Sequence, residues 1–169
     1  MNSSVSAQTQ SQTSRTLIES FENEFAQLDS RTRELLRAVS DKQLYQPVSL
    51  SGVSSGSVGE LMLRSAGAVE QTFGGLTSNL WDDPFEWTLP ENLSTPTLIT
   101  EYLNEVRQTR SHFFARLQND ADLTKLIAVP AGGTQPLTRL LLETLVRAAG
   151  HLERATVTLA LSQASSPEV

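Results

Sequence analysis

The chain carries two histidines, His112 and His151, and no cysteine. These counts bound its chemistry. A catalytic zinc usually takes three protein ligands. Thiolate zinc sites, disulfides and cysteine nucleophiles are all excluded. No glutamate stands three residues before either histidine; Thr109 and Ala148 occupy those places. The E-x-x-H device of di-iron helical proteins is therefore absent. His151 lies in "LLETLVRAAGHLERA", residues 141–155, one helical turn after Arg147. Residues at i and i+4 share a helix face. A guanidinium stays protonated and has no lone pair to offer a metal. Two roles stay open for His151: a ring at the core edge donating a hydrogen bond to a neighbouring helix, or a polar anchor in a ligand pocket. The plain role for Arg147 is an i,i+4 ion pair with Glu143. His112 precedes "FF" and reads as partly exposed, with Phe113 its buried neighbour. No G-x-S-x-G elbow accompanies the many serines, and two histidines nominate no triad. "PAGG" and "SGVSSGS" lack the strand and lysine of a phosphate loop and read as turns.

Charge narrows the partners. The formal net charge is −6. Nucleic-acid binders cluster Lys and Arg to displace counterions. Here the nearest sets are Arg31, Arg33 and Arg37, then Arg107 and Arg110, each interleaved with acids. They read as solvated helix faces. No apolar run reaches the ~20 residues of a membrane helix. The start lacks a basic segment followed by an apolar one, so it is no signal peptide. The expectation is a soluble, cytoplasmic protein without nucleic-acid or membrane partners.

Four helical patterns must position any site. The first runs from Thr16 to Val39, with Leu17, Phe21, Phe25, Leu28, Thr32, Leu35 and Val39 on one stripe. Ser40 and Gln43 then have the capping-box form of a short further turn. The second pattern begins at the Ser57/Glu60 box and carries Val58, Leu61, Met62, Ser65, Val69, Thr72, Phe73 and Leu76 until a break near Ser78. The third starts at Thr95, with Pro96 in the first helical position, and carries Leu98, Ile99, Tyr102, Val106, Phe113 and Leu117. The fourth takes Thr134 as its cap. Its stripe is Leu137, Leu140, Leu141, Thr144, Leu145, Ala148, Leu152, Ala155 and Leu159. No strand competes: "KLIAVPAG" is the nearest, and Pro130 and the glycines end it. Four amphipathic helices with long connections point to an all-α four-helix bundle over residues 15–162. Residues 1–14 and 163–169 read as flexible tails. In "NLWDDPFEWTLP", Trp81, Phe85 and Trp87 sit among Asp82, Asp83, Glu86 and Glu91. These aromatics are expected to pack over the bundle end; the alternative is a lid or pocket wall.

Three phrases in order, "AVSDKQLYQPVS", "SVGELMLRSAGAVEQ" and "RAAGH", resemble the DinB/YfiT-like superfamily over residues 16–162. The resemblance implies an up-down-down-up bundle, with "WDDPFEWTLPENLS" crossing between the second and third helices. It also implies a divalent metal held by three histidines. One comes from the second helix and two from the last, at i and i+4, and in some members the metal activates a thiol cofactor or a water. In this chain those positions are Arg64, Arg147 and His151. Two arginines repel a cation and suit a carboxylate or phosphate. The expectation is a bundle without the metal centre or any cofactor, binding a small anionic ligand through His151, Arg147 and Arg64. No catalytic residue is assigned, and a homodimer is expected. The alternative is a metal- or thiol-dependent transferase or hydrolase with a rebuilt site around His151.

Overall fold

The computed structural model describes residues 14–50, 53–54, 56–84 and 88–164. The expected tails fall mostly outside these residues, as do Phe85, Glu86, Trp87 and, in the "SGVSSGS" turn, Ser51, Gly52 and Ser55. Helix dominates, so the chain is all-α in class. In chain order the elements are α1 (Thr16–Ala38), α2 (Asp41–Leu44), β1 (Ser49–Leu50), β2 (Val53–Ser54), α3 (Val58–Ser78), α4 (Pro96–Arg116), a 3-10 turn (Asp120–Thr124), β3 (Leu126–Ala128), β4 (Thr134–Pro136) and α5 (Leu137–Ala164).

Local sequence fixes the helix starts. Ser40 with Gln43, and Ser57 with Glu60, form capping boxes in which side chain and backbone satisfy each other. Thr95 accepts from Leu98 N, with Pro96 at the first position. Asn79 ends α3 in the left-handed conformation, φ 56°.

The core is one cluster fed by every long helix. α3 lies against α1, α4 and α5, and α1 also meets α4 and α5. Phe25 of α1, Phe73 of α3 and Phe114 of α4 are fully buried. Their rings meet edge-on or tilted, with centroids 5.0–6.0 Å apart, the geometry that aromatic quadrupoles favour.

Several expectations are corrected. Thr134 does not cap the last helix. It begins β4, which pairs antiparallel with β3 over Leu126↔Pro136, Ile127↔Gln135 and Ala128↔Thr134. α5 starts three residues later. Gly132 and Gly133 supply the turn at φ 89° and 84°, a conformation without cost for glycine. Pro136 sits at the ladder end, where its missing N–H is tolerated. In α1 the buried residue is Ile18, whereas Leu17 is 57% exposed. Asp120 holds that end by accepting from Leu17 N and Ile18 N, both at 3.1 Å. Arg110 is no solvated cation. It is 5% exposed, and its Nη1 donates to Phe25 O at 2.8 Å.

Candidate anion-binding site

Arg64, Arg147 and His151 line one cleft of about 80 Å³, together with Gly67, Ala68, Gln71 and Asp83. α3 brings Arg64, Gly67, Ala68 and Gln71, which recur on one face at helical spacing. α5 brings Arg147 and His151. The connection after α3 brings Asp83. Trp81 anchors that connection. Gln71 Nε2 donates to Trp81 O at 3.0 Å, and Trp81 Nε1 donates to Asn79 Oδ1 at 3.1 Å. Gly75 is the only residue type this contact admits, since a Cβ there would stand 2.3 Å from the indole ring.

Hydroxyls lock the α3–α5 seam beneath the cleft. Ser65 Oγ donates to Ala148 O at 2.8 Å. Thr144 Oγ1 donates to Leu140 O at 2.8 Å and meets Thr72 Oγ1 at 2.7 Å. A hydroxyl has one proton, so Thr72 is the donor in that pair. All three side chains are buried, and such a seam has one register.

Arg147 Nη2 reaches across it to Ala68 O at 3.3 Å. Glu143 does not pair with Arg147 as expected; it accepts instead from Arg139 Nε at 2.7 Å. Arg64 and Arg147 keep much of their surface open to solvent, and His151 is half-buried. The Nδ1 atom of His151 is buried without a hydrogen-bond partner among the described residues. No bond to a neighbouring helix satisfies it. Burial lowers the ring's pKa, and Arg154, Arg64 and Arg147 lower it further. The imidazole is therefore neutral at pH 7, with one nitrogen a donor and the other an acceptor. Two fixed cations, a neutral ring and the Gln71 amide can receive a carboxylate or phosphate. The cleft suits a head group, since pockets that enclose a whole drug-sized ligand hold ~300 Å³ or more.

A second polar pair lies on the α4 side of Gly67. Tyr102 Oη donates to Glu70 Oε2 at 2.5 Å. Burial raises the Glu70 carboxyl, opposed by the Tyr102 hydrogen bond. Burial and the Glu70 charge raise the Tyr102 phenol. Neither residue was expected in a site from sequence, because Tyr102 reads as stripe and Glu70 completes no motif. Gln71 was legible in principle, two turns after Arg64. Asp83 was not, since only the fold of the connection returns it to α3.

His112 is exposed and lines a different hollow with Thr77, Ser78 and Arg116. A larger open groove of about 510 Å³ runs between the end of α1 and the start of α4, past Arg33, Arg37 and Glu101. Its Arg33 is already bound to Asp29 at 3.0 Å. Among the described residues no group of three His, Cys, Asp or Glu could hold a metal ion.

No family model matches the chain, and no curated protein matches its sequence.

Proposed function

We propose that the chain is a DinB/YfiT-like four-helix bundle whose metal position has become an anion cleft. Arg64 and Arg147 neutralise the carboxylate or phosphate of a small ligand, and neutral His151 adds a directed hydrogen bond. The carrying observation is convergence: three side chains from two helices, far apart in sequence, reach one cleft. The connection from Asn79 to Thr95 supports the up-down-down-up order. Its roughly 17 residues can span ~55 Å, more than the ~32 Å length of α3. The reading assigns binding and no turnover.

Inorganic phosphate and acetate are the probes. Two-dimensional amide NMR should show saturable shifts at Gly67, Ala68, Gln71 and His151. The His151 ring pKa should rise on phosphate binding, because the anion offsets the arginine charges. Arg147→Gln and Arg64→Gln should each weaken phosphate about tenfold or more, the size of one charge-assisted contact. Zinc or nickel bound one-to-one, and lost in His151→Gln, would overturn the reading in favour of a metal centre.

A further inference from the structure

Asp83 lines the cleft together with Arg64 and Arg147, although a site for a bare anion has no need of it. A carboxylate placed there opposes an incoming carboxylate or phosphate. The fold nevertheless holds this stretch of chain from both sides. Before Asp83, the carbonyl of Trp81 is bound by Gln71 Nε2 of α3. After it, Pro84 is buried beside Gly67, where an added Cβ would stand 3.7 Å from Pro84 Cβ. Pro84 O accepts from Thr88 N at 2.8 Å and from Thr88 Oγ1 at 2.9 Å, and Thr88 is buried.

The two signs of charge are sorted across the cleft. The His151 ring, on the α5 side, feels Arg154, Arg64 and Arg147. The Tyr102 hydroxyl, on the α4 side, feels Glu70, Asp83 and Glu105. Gly67 lies between the two sets. It lines the cleft, and a Cβ on it would stand 3.9 Å from Tyr102 Oη. Tyr102 has given its one proton to Glu70, so its oxygen can only accept. The α4 side is thus a wall of acceptors and negative charge, opposite two guanidinium groups.

We propose, on the reading of this cleft as an anion site, that its ligand is a zwitterion, the head group of a free amino acid. The carboxylate lies on Arg64 and Arg147, the ammonium lies on Asp83, and His151 and Gln71 add directed hydrogen bonds. Simpler ligands each meet an opposing charge. An amine meets the two arginines, and a bare anion meets Asp83. A metal ion meets the arginines with one carboxylate to hold it. An ammonium brings three donors, and a carboxylate has about four lone-pair sites, so Asp83 keeps acceptor capacity beyond the contacts it already makes. The cleft of about 80 Å³ takes the head group and leaves the amino-acid side chain outside. Arg64, Arg147 and Asp83 are exposed. Their contacts are therefore screened, and binding is about millimolar and weakens with salt.

Glycine and acetate separate this proposal from the anion reading beneath it. Both carry a carboxylate, and only glycine carries an ammonium at pH 7. Amide NMR titrations at Gly67 and Gln71 in low salt should show glycine binding about fivefold tighter than acetate, the upper range for an exposed charge pair. Asp83→Asn should move the two ligands in opposite directions. Glycine should weaken about threefold or more, and acetate should tighten because a repelling charge is gone. Arg147→Gln should weaken both. Asp83 is exposed, and unchanged amide shifts away from the cleft check that the variant is folded. Acetate bound as tightly as glycine, or both ligands tightened by Asp83→Asn, overturns the zwitterion and leaves the anion cleft standing; Asp83 then only balances arginine charge. Cleft amides that respond to neither glycine, acetate nor inorganic phosphate overturn both readings together.

Discussion

A ring among cations titrates unlike one among acids, and His151 is the first kind. Burial lowers its pKa most, and Arg154, Arg64 and Arg147 add to that. In the unfolded chain the ring regains its ordinary value near ~6.5. Between that value and the lower folded one, the unfolded chain holds a proton that the folded chain refuses. Stability therefore falls as pH drops through the ordinary histidine range, and the whole penalty is present below the folded value. At neutral pH the ring is neutral in both states and contributes no such penalty. Wild type should lose more stability than His151→Gln when urea midpoints are compared at about pH 7.5 and about pH 5. Equal losses would show that the ring titrates as it does in water. Part of this was legible from residue types alone: arginines beside a lone histidine argue for anions. The neighbour that matters most to the ring, Arg154, was passed over because it completes no motif.

Helix α3 shows how one substitution can have opposite signs on one element. Gly59 and Gly67 are both helical and both buried. A Cβ at Gly59 would stand 2.9 Å from Leu44 O and 2.5 Å from the Tyr45 ring. A carbonyl oxygen cannot swing aside, so α2 would have to move. Tyr45 is itself held, its hydroxyl donating to Leu93 O at 2.5 Å, and burial with the nearby Glu60 and Glu91 charges pushes its pKa up to about 12. At Gly67 the nearest atoms would be 3.7–4.0 Å away, ordinary contact. Alanine gains about 1 kcal/mol of helix propensity at either place. Gly67→Ala should keep that gain and raise the thermal midpoint. Gly59→Ala should lower stability by about 1–3 kcal/mol, as overpacking does. Equal effects would mean that α2 does not clamp the start of α3. The capping boxes that begin α2 and α3 were readable because every partner lies within three residues. The β3–β4 hairpin was not. Pro130 and the glycines after it argued against a strand, and the pairing that admits Pro136 appears only when Thr134 folds back on Ala128. Leu17 and Ile18 fit the apolar spacing almost equally, and it took Asp120, more than a hundred residues away, to fix which one turns inward.

The helices also meet at a buried charge. Val106, Arg110, Phe113 and Leu117 form one inward row on α4, yet the arginine was read as solvated because its charge outweighed its spacing. In the fold it bridges α4 to Phe25 O of α1. Its Nε is buried without a partner among the described residues. Burial lowers its pKa, opposed by the charges of Asp29 and Glu22. Asp29 also binds Arg33 at 3.0 Å, and both side chains are largely covered, at 13% and 16% exposure. Asp29 thus serves two cations at the α1–α4 contact, and Glu22 adds its charge at Arg110. A buried ion cluster loses little when the cation is exchanged for an apolar side chain of like length, and much when its counter-charge is removed alone. Arg110→Met should stay within about 1 kcal/mol of wild type. Phe25 O lies inside α1 and keeps its place in the helix ladder. Asp29→Asn, nearly isosteric, should cost about 1–3 kcal/mol, because Arg33 loses its ion pair and Arg110 is left with the Glu22 charge alone. In the double variant the Asp29→Asn cost should shrink, since one of those cations is gone, and a double-mutant cycle reads that coupling directly. Urea midpoints at constant slope are the measurement. If Arg110→Met proves the costlier change, the arginine holds α4 to α1 by its hydrogen bond, and Asp29 serves Arg33 alone.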